Sequence, residues 1–248
     1  MSELLPSERR ALYPSLAGKR VLVTGGGSGI GAGIVSEFLR QGSDVTYFDL
    51  AENPGCPARF EQVDLMQIET TQALIAQLVA ADGGFDILIN NAANDDRHDI
   101  EKVTPAYWDD RINVNLRHQF FCAQAVLSGM KKRGGGAIVN LGSISWHLGI
   151  KDLAIYQTAK AAIEGMTRAM SREFGECGIR VTCVVPGNVR TPRQLKWYTP
   201  EGEAEIVAGQ ALKGRLIPED IAAMVLFLAS EDARLITGHE YFVDAGWR

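Results

Sequence analysis

Arg20-Val21-Leu22-Val23-Thr24-Gly25-Gly26-Gly27-Ser28-Gly29-Ile30-Gly31 runs an apolar, β-branched stretch into a glycine turn and out into a helical pattern. In such a turn the main chain can approach a pyrophosphate, and the unpaired N–H groups of the following helix can hold it. A glycine string alone is a weak signal. It is strengthened here by the strand before it, the helix after it, and Asp49 eighteen residues beyond Gly31, close to the ~20 expected of an acid that binds a ribose.

Outward from that turn, short β-branched runs alternate with helix-period segments along the chain, the pattern of a parallel sheet covered by helices. Strands are expected over 20–24, 44–48, 59–63, 86–90, 137–141, 180–185 and 240–243, and helices over 30–41, 67–81, 105–133, 152–176 and 218–230. Pro105 and Pro218 suit first-turn positions, where a missing N–H costs nothing. The fold class is therefore α/β: one Rossmann-type, doubly wound domain of seven parallel strands over 18–248, after an N-terminal extension at 1–17. Residues 191–214 break the rhythm, are rich in Pro, Gly, Gln and Glu, and include Trp197 and Tyr198. This segment reads as a substrate lid or as a solvated excursion.

Composition narrows the function classes. Among 248 residues, 46% are hydrophobic and 22% charged, with a net charge of −5, which gives no electrostatic reason to expect nucleic acid or an anionic membrane as partner. Lys131-Lys132-Arg133 precedes three glycines and reads as a helix end. The four cysteines include no Cys-x-x-Cys pair, so neither a disulfide framework nor a metal site is expected. Residues 1–16 carry charges without a continuous apolar stretch, and the apolar run 221–229 is about half of the ~18 residues a spanning helix needs. A cytoplasmic location follows as the expectation.

The chemistry centres on Tyr156 and Lys160, which share a helix face at i and i+4, and on Ser143 at the end of the strand 137–141. Tyrosine ionises near ~10, so acting as a base at neutral pH takes a depression worth about 4 kcal/mol. Lys160 and an oxidised nicotinamide can supply it. Asp49 selects between cofactors: its carboxylate can accept both adenosine hydroxyls and repels a 2′-phosphate, which favours NAD. Asp64 is open to two readings, as a partner of the adenine amino group or as an N-cap for the helix near Gln67.

These residues carry a resemblance to the short-chain dehydrogenase/reductase family. Its motifs stand here as Thr24-Gly-Gly-Gly-Ser-Gly-Ile-Gly31, Asn90-Asn91-Ala92-Ala93, Asn113-Val-Asn115-Leu, Ser143, Tyr156-x-x-x-Lys160 and Pro186-Gly187, in register from about Gly18 to Arg248. The resemblance implies catalytic roles for Asn115, Ser143, Tyr156 and Lys160, with Asn115 holding a proton-relaying water; Asn113 is the alternative for that role. It implies a cofactor site of Gly25, Ser28, Gly29, Ile30, Gly31, Asp49, Asp64, Leu65, Asn91, Ala92, Ala93, Tyr156, Lys160, Pro186, Gly187, Val189 and Thr191. In it Asn91 steadies the central strands, and Val189 and Thr191 hold the carboxamide. Ala93 departs from the family's usual glycine by one methyl group. A homotetramer built partly through the helices 105–133 and 152–176 is also implied.

Around the substrate the sequence is polar. Asn94-Asp95-Asp96-Arg97-His98 follows the fourth strand, Ser145-Trp146-His147 follows Ser143, and Asn188 follows Gly187. Several donors and acceptors beside an aromatic face suit a polyhydroxylated ring, because each desolvated hydroxyl must find a partner. Asn94, Ser143, Ser145, Trp146, Tyr156 and Asn188 are the candidate substrate contacts; Asp95, Asp96 and Arg97 can equally form a solvated turn. Segments outside the shared motifs, such as Asn91–His98 and Gly142–Gly149, resemble the aldose 1-dehydrogenases of the family. That implies oxidation of an anomeric hydroxyl to a lactone, with D-xylose first and L-arabinose, D-galactose and L-fucose as competitors. The rival readings are a carbonyl reductase of the same family and a dinucleotide sensor without chemistry.

Overall fold

The computed structural model describes residues 10–196 and 198–248; the readings that touch 1–9 and Trp197 lie outside the described residues. Seven strands form one parallel sheet in the order β3-β2-β1-β4-β5-β6-β7. They are β1 (Arg20–Thr24), β2 (Asp44–Asp49), β3 (Arg59–Gln62), β4 (Ile87–Asn90), β5 (Gly136–Leu141), β6 (Ile179–Pro186) and β7 (Glu240–Val243). The central strands are apolar on both faces because a parallel sheet is covered on both sides. Val21, Val23, Ile87, Ile89 and Val139 pack with Ile34 and Phe38 of α1 (Gly29–Arg40) and Ile221 and Val225 of α8 (Pro218–Ala229). Leu22, Leu88 and Ile138 pack instead with Ile75 of α2 (Ile68–Asp82), Val126 and Met130 of α4 (His118–Lys132), and Met170 of α6 (Ala154–Phe174). The strand order reverses between β1 and β4, opening a crevice at the strands' C-terminal ends, the place where doubly wound sheets bind ligands.

Three differences from the sequence expectation bear on the site. The segment 105–133 is not one regular helix: α3 (Pro105–Ile112) passes through a π-turn, Asn113–Arg117, into α4. Two short helices were not expected, α5 (Ile144–Leu148) directly after Ser143 and α7 (Pro200–Gly209) inside the suspected lid. Strand and helix ends move by one or two residues. Among the described residues no helix is long and apolar enough to cross a membrane.

Candidate active site

The glycine turn is shaped by what a side chain would hit. Gly25 has φ +67°, and a Cβ there would lie 2.8 Å from Ala92 Cα; at Gly31 it would lie 1.9 Å from the Gly25 carbonyl oxygen. Strand β1, the turn and the end of β4 can therefore close together only through glycine. Asn91 Nδ2 ties the two strand ends by donating to the carbonyls of Thr24 (3.0 Å) and Gly25 (2.9 Å). Ser28, at the N-cap of α1, makes no side-chain cap, which leaves the first-turn N–H groups for an anionic ligand. Asp49, ending β2, is aimed by two main-chain donors, Gly27 N (2.8 Å) and Leu50 N (2.7 Å). Asp64 accepts from Met66 N at 3.0 Å, while the N-cap position of α2 is Gln67, so capping does not account for Asp64.

These groups line a cleft of about 480 Å³, within the range of small-molecule sites. Every residue of the expected cofactor set lines it: Gly25, Ser28, Gly29, Ile30, Gly31, Asp49, Asp64, Leu65, Asn91, Ala92, Ala93, Tyr156, Lys160, Pro186, Gly187, Val189 and Thr191. An uncapped helix end, a carboxylate beside it and a glycine-only approach fit a dinucleotide.

Ser143, Tyr156 and Lys160 line the same cleft. Ser143 is the N-cap of α5 and accepts from Ser145 N (3.2 Å). Lys160, fully buried on α6, donates from Nζ to the Leu141 carbonyl at 2.7 Å and lies 5.5 Å from the Tyr156 ring centre. Burial pulls its ammonium down to about 8. Burial also raises the Tyr156 phenol above its ordinary value, and Asp95 adds to this, while a hydrogen bond with Ser143 and the charge of Arg193 pull the other way. Desolvation of the phenol thus outweighs the neighbouring charges.

Asn115 lies one layer behind the cleft, fully buried in the π-turn. Its Nδ2 donates to the carbonyls of Asn94 (3.0 Å) and Arg111 (2.9 Å), and its Oδ1 accepts from Asn94 N (2.8 Å). Asn113 lines a different, outer groove with Leu116, Phe120 and Met166, which separates the two asparagines by environment. His118, next along the helix, sends Nε2 to the Ala92 carbonyl at 3.1 Å.

Of the candidate substrate contacts, Asn94, Ser143, Ser145, Tyr156 and Asn188 line the cleft and Trp146 does not. The Trp146 indole donates to Glu164 Oε1 (2.8 Å) and stacks on His147 with ring centres 3.7 Å apart; a buried carboxylate has claimed it. Asp95, Arg193, Gln194 and Tyr198 line the cleft and were not in the expected contact set. Asp95 pairs with Arg193 (2.9 Å) and accepts from Gln194 Nε2 (2.9 Å), and Tyr198 bonds Asn188 and Gln194. These bonds join the suspected lid to the segment after β4. Trp247 packs within the chain against Gly209 of α7 and reaches the cleft.

Residues 25–248 match the family model described as enoyl-(acyl carrier protein) reductase. The D-xylose 1-dehydrogenase of Caulobacter vibrioides is 61% identical over 96% of this chain and 99% of its own length. Among solved structures, the ligand-free aldohexose dehydrogenase of Thermoplasma acidophilum superposes with TM-score 0.90 at 26% identity, covering 95% of this chain and 96% of the other. A 4-hydroxyisoleucine dehydrogenase complexed with NADH superposes with TM-score 0.84 at 30% identity, covering 92% and 98%.

Proposed function

Since the chain belongs to the short-chain dehydrogenase/reductase family and is an oxidoreductase with a nicotinamide cofactor, we propose that it oxidises the anomeric hydroxyl of an aldose, D-xylose first, to the lactone with NAD. The observation that carries this reading is one cleft lined together by the glycine turn and Asp49, by Ser143, Tyr156 and Lys160, and by the polar side chains of Asn94, Asp95, Asn188, Gln194 and Tyr198. The Caulobacter relative, whose own activity is on D-xylose, supports the choice of sugar.

A bound nicotinamide would supply positive charge and an acceptor for the C1 hydride. The Tyr156 phenolate takes the C1 hydroxyl proton, and Ser143 Oγ orients that hydroxyl and stabilises the emerging carbonyl oxygen. Lys160, with a water that Asn115 would hold, returns the proton towards solvent. Asp49 favours NAD because its charge, fixed by Gly27 and Leu50 N–H groups, opposes a 2′-phosphate, and Leu50 offers no compensating cation. Residues 191–214 act as the lid, latched through Asp95. The outer groove beside Phe120 and Phe121, about 450 Å³ and mostly apolar, is where a second copy docks in a homotetramer; sedimentation as a monomer would refute that assembly. A soluble, cytoplasmic setting fits this activity.

An NADH absorbance assay tests the reading with D-xylose, L-arabinose, D-galactose, L-fucose and simple alcohols, each with NAD and NADP. Turnover of an aldose with NAD is expected. Oxidation of simple alcohols alone, or of nothing, overturns it.

A further inference from the structure

Tyr156, Lys160 and Glu164 stand at i, i+4 and i+8 on α6 and so share one face. The first two serve the cleft; Glu164 does not line it. Its side chain is nearly buried, and Oε1 accepts two hydrogen bonds, from Trp146 Nε1 (2.8 Å) and from His147 Nε2 (3.0 Å). Its carboxylate also lies against Gly142, where an added Cβ would be 3.4 Å from Oε1. A buried carboxylate is costly unless its charge is met by donors, and both donors come from α5.

Helix α5 has five residues, far short of the length at which a helix holds itself. Its main chain closes locally, with Ile150 N returning to the Ser145 carbonyl at 3.2 Å. Its place against the rest of the protein depends on its side chains. The His147 ring is held between Trp146 and the edge of Phe242 on β7, with centres at 3.7 and 4.8 Å. Ser143 is the N-cap of this helix and bonds Ser145 through Oγ, so any shift of α5 moves the Ser143 hydroxyl relative to Tyr156.

We propose that Glu164 is a positioning residue for Ser143: it clamps α5 to the helix that carries Tyr156 and Lys160, with Trp146 and His147 as the two jaws. The inference rests on the reading that Ser143, Tyr156 and Lys160 perform the chemistry. It also assigns a use to the Trp146-His147 pair, which the cleft leaves unused.

Glu164→Leu removes the acceptor. It should lower kcat on the order of 10²-fold, as small misplacements of reacting groups do, with KM for NAD unchanged because the Glu164 carboxylate bonds α5 and not the glycine turn. Glu164→Gln keeps an oxygen for both donors and should restore most of the rate. Trp146→Phe, which keeps the ring and deletes one donor, gives a smaller loss and serves if Glu164→Leu does not fold. The deciding measurement is a double-mutant cycle with Ser143→Ala. In that background Glu164→Leu or Trp146→Phe should cost almost nothing further; fully additive losses overturn the proposal. If the wild type oxidises no alcohol offered, the proposed function fails, and the clamp is then judged by ¹⁵N NMR of the Trp146 indole N–H, assigned with Trp146→Phe. Slow exchange in the wild type and in Glu164→Gln, and fast exchange in Glu164→Leu, is expected; equal protection in all three overturns the clamp.

Discussion

Lowering the pH should unfold this protein partly through one residue, His118. Its ring is fully buried, Nε2 donates to the Ala92 carbonyl, and burial, with Lys160 second, holds its pKa at about 4 against an ordinary 6.5. With the folded value below the unfolded one, the unfolded chain binds the extra proton between pH 6.5 and 4. Stability is therefore complete above 6.5, falls as pH drops through that window, and levels off below 4. The gap corresponds to about 3 kcal/mol in total, of which roughly 2 kcal/mol is already lost at pH 5. His118→Gln keeps an amide donor for Ala92 O and removes the titration. Urea unfolding of both proteins at pH 7 and pH 5, at one fixed concentration, isolates the effect, because all other titrating groups cancel in the difference. The wild type should lose about 2 kcal/mol more than the variant between the two pH values. Equal losses would mean that His118 is not held neutral by its surroundings, and the reasoning fails.

Other outcomes follow from the site. Tyr156→Phe should leave NAD binding intact by fluorescence titration and abolish turnover; retained turnover removes Tyr156 as the base. Asn115→Ala should reduce kcat on the order of 10²-fold, whereas Asn113→Ala, on the outer groove, should change it little; the reverse order in steady-state kinetics reassigns the relay. Asp49→Ser combined with Leu50→Arg should shift the NAD/NADP ratio of kcat/KM about tenfold or more towards NADP, since a repulsion is lost and a charge-assisted bond gained; an unchanged ratio clears Asp49 of the selectivity role.

The sheet was legible because central parallel strands are apolar on both faces, and each such run is bounded by polar or glycine residues. Strand ends were less so: Asp49 pairs with Gln62 and Pro186 with Val243, since ladder pairing continues past the last apolar residue. The glycine turn, Asp49 and the Tyr156/Lys160 spacing were readable because each is local. Direction and long-range pairing were not. Nothing near Trp146 in the chain says that its partner is Glu164, eighteen residues on, and Asp95 meets Gln194 across ninety-nine residues. Helix α5 is shorter than two helical turns, so it has no period to detect.

The π-turn is the least legible feature, because an i→i+5 turn leaves the hydrophobic pattern of 105–133 intact, yet it carries Asn115, whose side-chain amide makes three hydrogen bonds. The Arg111 carbonyl, at the end of α3, accepts from the Asn115 side-chain amide. The same side chain must also donate to the Asn94 carbonyl and accept from Asn94 N. Two donors and an acceptor at that reach are what a primary amide offers: aspartate lacks the donors, and glutamine sets them a methylene too far. One side chain thus ties the end of α3 to the loop after β4, holding the polar segment that begins at Asn94 against the π-turn.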